Sequence, residues 1–219
     1  MTETVRYPYR SPFASQMHDV FELAKWSARR VVSMEQGKKY LPDLLKRRVI
    51  AWHARKYDLR TFVESGTYLG TTVSFMRRYC GRLYSIEFQP RLAKAAQERF
   101  AGDSSIRILE GNGAVLMPKI LAELHEPALF WLDGHFAVGT TSDAEVACPT
   151  MEELSAVLAD TRYPHVVLID DAREFRGEAG YPTLESVQQF IRSARPDTTV
   201  RVQDDIVRVL PREAPFQGD

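Results

Sequence analysis

Short apolar runs and helical apolar periodicities alternate along the chain from residue 61 onward. The apolar runs predict buried strands, near residues 61–65, 82–87, 105–110, 128–133 and 165–170. Apolar positions at helical spacing between and after them predict helices, near residues 70–79, 90–101, 113–124, 150–160 and 182–194. Two final alternating segments predict a β-hairpin, 198–202 and 206–210. This alternation indicates an α/β protein with a Rossmann-like, doubly wound sheet.

The first 60 residues have a different pattern. Residues 1–15 show no period and predict an extended arm, whereas apolar positions in 17–36 and 42–57 fall at helical spacing. Apolar side chains of the second helix are expected to share one face, which is more often core than a cofactor site: Leu45, Val49 and Trp52. We therefore expect an N-terminal arm with two helices over residues 1–60, which forms a lid or cover, and a larger domain over residues 61–219.

The charge is balanced over the whole chain but uneven along it. The protein has 29 basic and 29 acidic residues, so its net charge gives no reason to expect nucleic acid as a partner. Residues 1–60 hold 13 lysines and arginines against 6 acidic residues, and the remainder holds 16 against 23. The basic segment is predicted either to dock on an acidic body or to form a solvated helix face.

The composition and the cysteines indicate the number of domains and the cellular environment of the protein. A length of 219 residues with 44% hydrophobic content suits one domain with a full core. Cys80 and Cys148 fit neither a metal-binding spacing nor a disulfide framework, and no signal-peptide pattern opens the chain. No apolar run approaches the ~20 residues that a membrane-spanning helix needs. We expect a cytoplasmic protein without a membrane segment.

The most informative motif follows the first predicted strand. It has the pattern E-x-G-x-x-x-G, from Glu64 through Gly66 to Gly70. Gly66 allows a tight turn, and Gly70 lets the next helix pack closely on the sheet. The dinucleotide pattern G-x-G-x-x-G seats a pyrophosphate, which an acid at this point would repel. The acid suits a ligand with a positively charged head, although acid-x-Gly also occurs as a plain turn.

This loop resembles motif I of the class I S-adenosylmethionine-dependent methyltransferases. The resemblance extends to the terminal hairpin, because the last strand of those enzymes is antiparallel to the others. It implies that the loop binds the methyl donor through the following residues: Glu64, Gly66, Thr67, Tyr68, Gly70 and Thr71.

Residues at two further strand ends are candidate contacts of the methyl donor. Glu87 ends the second strand 23 residues after Glu64, where a carboxylate can accept both ribose hydroxyls, unless it is a helix-capping or solvated acid. The third strand leads into Glu110-Gly111-Asn112-Gly113. In the family an acid near this point meets the adenine amino group. Asn112 can accept that hydrogen bond through its side-chain oxygen, or it is a turn residue.

The ends of the fourth and fifth strands carry three acids. Asp133 follows the fourth strand, and Asp170 and Asp171 follow the fifth. Neighbouring parallel strands lie ~5 Å apart, so these carboxylates are expected to converge and to need a cation between them. Oxygen ligands favour a hard ion such as Mg²⁺. The alternative is structural, with Asp170 capping the next helix and Asp171 facing solvent.

The three acids resemble the metal site of the macrocin-type O-methyltransferases, which act on sugar hydroxyls. That resemblance implies a metal bound by Asp133, Asp170 and Asp171, with Asp133 beside both the metal and the donor. The chain departs from the family at His135, where a second acid is expected. We predict His135 as a catalytic base, with a metal ligand or an inert loop histidine as alternatives. The unpatterned segment 134–149 is predicted to be a substrate lid, with Glu145 as a fallback ligand or base.

The sequence therefore predicts an enzyme that uses S-adenosylmethionine, with Mg²⁺, to methylate a hydroxyl on a small molecule or a sugar. No nucleic-acid or membrane partner is expected, and a homo-oligomer is left open. Two other functions compete with this interpretation: an NAD-dependent oxidoreductase on a similar sheet, and a non-catalytic protein that binds S-adenosylmethionine.

Overall fold

A computed structural model describes residues 43–134, 149–178 and 180–212. These residues form a seven-stranded sheet, made of β1 Thr61–Ser65, β2 Arg82–Glu87, β3 Ile106–Glu110, β4 Ala128–Leu132, β5 Val166–Ile169, β6 Thr198–Gln203 and β7 Ile206–Pro211. Six α-helices accompany the sheet: α1 Asp43–Lys56, α2 Thr71–Met76, α3 Pro90–Phe100, α4 Gly113–Glu123, α5 Thr150–Ala159 and α6 Leu184–Ala194. One 3₁₀ turn, Ala172–Glu174, follows β5.

The strand order is β3-β2-β1-β4-β5-β7-β6. The first five strands pair in parallel, and β7 lies antiparallel between β5 and β6. The predicted Rossmann-like sheet with an antiparallel C-terminal hairpin is confirmed. Every residue of β1, β4 and β5 is buried, which explains why β4 and β5 are continuous apolar runs in the sequence. Strand β1 also contains Thr61, Glu64 and Ser65, whose side chains make hydrogen bonds.

Two apolar layers cover the sheet. On one face Val63 and Phe130 pack with residues of α4, α5 and α6, and on the other face Phe62 and Trp131 pack with residues of α1, α2 and α3. Successive strand residues point to opposite faces, so each strand contributes to both layers. The two layers hold the strands in one register, and their carboxyl ends come out on one edge.

Helix α1 uses a different face from the one predicted. Leu44, Ile50 and Ala54 are buried, whereas Trp52 is 54% exposed. Leu45 and Val49 are only partly buried. The prediction for Trp52 was wrong because α1 has apolar residues on more than one side, and close approach to the sheet favours a stripe with small alanine side chains.

Some helix ends also differ from the prediction. Helix α2 ends at Met76, since the following residues form tighter turns such as the hydrogen bond from the amide of Tyr79 to the carbonyl of Met76 (2.8 Å). Pro90 lies in the first turn of α3, where the predicted helix begins. Helix α6 begins at Leu184 and not at the predicted residue 182, because the side chain of Thr183 caps that helix.

Several predicted features lie outside the described residues. These are the arm of residues 1–15, the helix of residues 17–36, His135 and most of the predicted lid, including Glu145. Within the described ranges, no helix is long and apolar enough to cross a membrane.

Candidate active site

The carboxyl ends of the parallel strands line up along one edge of the sheet. Ser65 of β1 pairs with Leu132 of β4, which in turn pairs with Ile169 of β5. Glu87 ends β2 opposite Glu110 of β3. The acids that the sequence assigned to different strand ends therefore share this edge, which is where ligands bind in open α/β sheets.

The two glycines of the loop after β1 have separate structural reasons. Gly66 has φ of 91°, and a Cβ there would lie 2.4 Å from the backbone oxygen of Asp133. Gly70 has φ of 65°, and a Cβ there would lie 2.7 Å from Cε2 of Phe100 in α3. The expected tight turn is present, and the loop rests directly against the segment after β4. The close approach at Gly70 is to Phe100 of α3, whereas the prediction was an approach of the following helix to the sheet. Thr71 begins α2 immediately after this loop.

Glu64 is a buried carboxylate behind this loop. It is 1% exposed, and Ser85 of β2 donates a hydrogen bond to its Oε1 at 2.6 Å. The hydroxyl of Thr67 lies 2.5 Å from that of Ser85, so the three side chains form one hydrogen-bonded series. Oε2 of Glu64 has no hydrogen-bond partner among the described residues. A buried acceptor without a partner is costly, so this oxygen calls for a donor or a cation.

The surroundings of Glu64 disfavour its charged form. Burial raises the pKa of Glu64 well above its usual value, the hydrogen bond from Ser85 opposes the rise, and the negative charges of Asp133 and Glu87 add to it. A positively charged ligand group beside Glu64 would reverse this balance, since an opposite charge stabilises the carboxylate.

Glu87 fixes the glycine loop to β2. Its Oε2 accepts a hydrogen bond from the amide of Tyr68 at 2.7 Å, and its Oε1 accepts one from the amide of Gln89 at 2.9 Å. Tyr68 needs this support because it has φ of 47° and its side chain is exposed. Each carboxylate oxygen of Glu87 retains capacity for a further donor.

Asn112 caps α4. Its Oδ1 accepts a hydrogen bond from the amide of Ala114 at 2.8 Å, so the side-chain oxygen serves the turn that was the alternative to adenine binding. The oxygen has a second lone pair, and contact with adenine stays a prediction.

The three predicted acids converge. Asp133, Asp170 and Asp171 each offer a carboxylate oxygen, and these oxygens all lie within 4.8 Å of one another. Asp170 is buried, and the other two are partly buried. Burial raises the pKa of Asp170 to about 7; Asp133 adds to the rise and Lys46 opposes it. Three hard oxygen donors at this spacing fit a divalent ion such as Mg²⁺.

Lys46 of α1 reaches this cluster, and the sequence motifs did not identify it. Its Nζ donates to Asp170 at 2.7 Å and to Asp171 at 3.0 Å, and its side chain is 13% exposed. Burial lowers the pKa of Lys46, but the two aspartates outweigh burial and raise it overall. The uneven charge along the chain was the available indication, because this is a contact between the basic N-terminal segment and the acidic remainder.

Arg173 and Asp205 also support the cluster and were not predicted. Nη1 of Arg173 donates to Asp171 at 2.7 Å and also pairs with the carboxylate of Asp205. The backbone amide of Arg173 donates to Asp205 at 2.8 Å. Asp205 lies in the turn of the β6–β7 hairpin with φ of 64°, so the hairpin turn orients the loop after β5.

Glu153 of α5 is a second buried acid beside the glycine loop. It is 1% exposed, and Ser65 donates a hydrogen bond to its Oε2 at 2.7 Å. A Cβ on Gly113 would lie 1.7 Å from its Oε1, so the carboxylate sits tightly against the start of α4. No sequence motif marks Glu153, because its neighbours come from distant parts of the chain.

Comparisons with known proteins agree with this architecture. No protein-family model matches the sequence, and no curated protein matches it. The O-methyltransferase TomG from Streptomyces achromogenes, solved with S-adenosylmethionine, is 18% identical with a TM-score of 0.57, over 79% of this chain and 82% of TomG. An O-methyltransferase from Bacillus cereus, solved with S-adenosylhomocysteine, is 14% identical with a TM-score of 0.57, over 84% of this chain and 89% of that enzyme. The Podospora anserina methyltransferase PaMTH1, also solved with S-adenosylhomocysteine, is 13% identical with a TM-score of 0.52, over 97% of this chain and 100% of PaMTH1.

The chain has the fold of the class I S-adenosylmethionine-dependent methyltransferases. At these sequence identities the likeness concerns the fold. The residues at the strand ends determine the chemistry.

Proposed function

We propose that this protein is an S-adenosylmethionine-dependent methyltransferase that methylates a hydroxyl on a small molecule or a sugar, assisted by a divalent ion such as Mg²⁺. The observation that carries the proposal is the buried Glu64 carboxylate behind the glycine loop, one oxygen of which has no hydrogen-bond partner among the described residues. The donor or product bound to TomG and to the Bacillus cereus enzyme supports the choice of ligand.

The donor would lie along the first two strand ends. Glu64 would accept hydrogen bonds from the ammonium of the methionine part, and its buried position strengthens that attraction because the local dielectric is low. Glu87 would accept the ribose hydroxyls. The backbone from Gly66 to Thr71 would line the donor, with Asn112 near the adenine. S-adenosylmethionine supplies the electrophilic methyl group.

The acceptor would lie across the sheet at the acid cluster. Asp133, Asp170 and Asp171 would hold the divalent ion, which when bound orients an acceptor hydroxyl and lowers its pKa. The chain itself has to place the acids, keep the acceptor oxygen in line with the donor and take up the proton. His135 remains our proposed base, and Asp133 is close to both halves of the site.

Residues 1–60 would form a cover over this edge of the sheet. The contact between Lys46 and the acids after β5 supports that role, because it joins the N-terminal segment directly to the strand ends.

Calorimetric titration with S-adenosylhomocysteine and, separately, with NADH tests the donor half of the proposal. We expect S-adenosylhomocysteine to bind and NADH not to bind. Glu64→Gln and Glu87→Gln should each weaken the binding of S-adenosylhomocysteine by about 10–100-fold, since a hydrogen bond to a charged group contributes about 1.5–3 kcal/mol. Glu98→Gln, on the exposed side of α3, is the matched control and should bind like the wild type.

If NADH binds and S-adenosylhomocysteine does not, the proposal is refuted in favour of an oxidoreductase. Unchanged affinity in Glu64→Gln would remove this carboxylate from the donor site. Tight donor binding without methyl transfer to any hydroxyl acceptor in a broad screen would favour a non-catalytic binding protein.

A further inference from the structure

Lys46 and a divalent ion would need the same carboxylate groups. Nζ of Lys46 lies 2.7 Å from Oδ2 and 2.7 Å from Oδ1 of Asp170, so it faces both oxygens of that side chain. Oδ1 of Asp170 also accepts the amide of Asp171 at 2.7 Å. The same ammonium lies 3.0 Å from Oδ1 of Asp171. A cation ligated by both aspartates would have to take over positions that the ammonium now holds.

We propose that Lys46 is a resident cation of the acid cluster, which competes with a divalent ion for Asp170 and Asp171 and thereby sets the affinity of the site for metal. This inference rests on the metal site of the proposed function, but it needs neither the methyl donor nor the acceptor.

The positions of the groups favour exchange over joint occupancy. Nζ of Lys46 contacts the carboxylate oxygens of Asp170 and Asp171 that a shared ion would need, and Arg173 is already divided between Asp171 and Asp205. A divalent ion beside an ammonium that stays in place would meet a like charge at close range in a partly buried site, which is unfavourable.

The exchange has a structural consequence. Lys46 belongs to α1, and Ile50 and Ala54 of the same helix are buried in the layer that packs on the sheet. Its ammonium is therefore a polar tether between the N-terminal segment and the strand ends. When a metal takes the carboxylates, that tether is released and Lys46 becomes accessible.

Mn²⁺ binding measured by electron paramagnetic resonance tests the competition directly. Lys46→Met should bind Mn²⁺ about tenfold more tightly than the wild type, or better, because a like charge next to the ion has been removed. The matched control is Arg48→Met, which removes one positive charge from an exposed position of the same helix. It should bind Mn²⁺ like the wild type. Asp170→Asn, added to Lys46→Met, should abolish the gain.

Equal or weaker Mn²⁺ binding in Lys46→Met would overturn the proposal, and so would an equal gain in Arg48→Met. S-adenosylhomocysteine binding, measured on the same samples, separates the two proposals. Intact donor binding with no gain in Mn²⁺ affinity refutes the role of Lys46 and leaves the donor half of the proposed function standing.

A second measurement uses only the wild-type protein, so it does not depend on the folding of a variant. Lys46 is acetylated with an amine-reactive ester in the presence and absence of millimolar Mn²⁺, and mass spectrometry compares its rate with that of the exposed Lys94. Saturable acceleration at Lys46, with no change at Lys94, is the expected result. An unchanged or slower rate at Lys46 would refute the displacement.

Discussion

Gly66 offers a direct test of how the glycine loop meets the segment after β4. In Gly66→Ala the new Cβ would lie 2.4 Å from the backbone oxygen of Asp133 and 2.9 Å from its carbonyl carbon. These are backbone atoms, so no side-chain rotation relieves the contact. Gly66 also has φ of 91°, where a residue with a Cβ is strained.

The cost of this substitution has two parts. A residue with a Cβ in the left-handed region costs roughly 1–2 kcal/mol. Relief of an overpacked contact in a tight interior costs typically 1–3 kcal/mol. Together they predict a loss of about 2–5 kcal/mol from a total that is about 5–15 kcal/mol for ordinary domains. A shift of the loop would also displace Glu64 from Asp133, and misplacement by ~1 Å can cost about 100-fold in a functional site.

Urea unfolding and thermal melting measure the stability, and titration with S-adenosylhomocysteine measures the function. At about 2–4 °C per kcal/mol for a chain of this size, the melting temperature should fall by about 4–20 °C. Gly81→Ala is the matched control, because a Cβ there would meet no atom within 4 Å. If Gly66→Ala is as stable as Gly81→Ala and binds S-adenosylhomocysteine equally well, the close approach of the two loops is refuted.

Three further predictions follow from the buried acids. Glu64→Gln should stabilise the donor-free protein, and increasingly so as the pH rises above the usual range of a glutamate carboxyl. The reason is that the raised pKa of Glu64 makes the folded state bind a proton more tightly than the unfolded state, so wild-type stability falls as pH rises. A stability difference between the two proteins that does not change with pH would contradict that. Asp205→Asn should lose about 1–3 kcal/mol in urea unfolding, because its partly buried carboxylate accepts from both the backbone amide and the guanidinium of Arg173. Asp204→Asn, whose carboxylate is more exposed, should lose at most about 1 kcal/mol, and equal losses would count against the role of the hairpin turn. Glu153→Ala should cost about 1–3 kcal/mol, because a buried serine hydroxyl loses its acceptor, and the exposed neighbour Glu152→Ala serves as its control in the same unfolding assay.

Local patterns predicted most of the sheet. The boundaries of β1 and β2 agree with the predicted segments, because each strand places apolar residues in the core and is flanked by residues typical of turns. The predicted convergence of Asp133, Asp170 and Asp171 is confirmed, since parallel strands that share a register bring their carboxyl ends to one edge. The glycine loop was also recognisable, because a backbone with φ of 91° needs glycine at Gly66 whatever packs around it.

The sequence by itself therefore determined the order of the elements and the edge at which the acids meet, because both depend on interactions along a strand or a turn. Only the tertiary structure decided what stands beside those acids. Lys46 is separated from Asp170 by 124 positions along the chain, and Ser65 from Glu153 by 88. Neither pair leaves a local pattern, since the choice of partner depends on how α1 and α5 pack on the sheet. The same packing left Trp52 exposed, although its spacing in α1 had predicted a buried position.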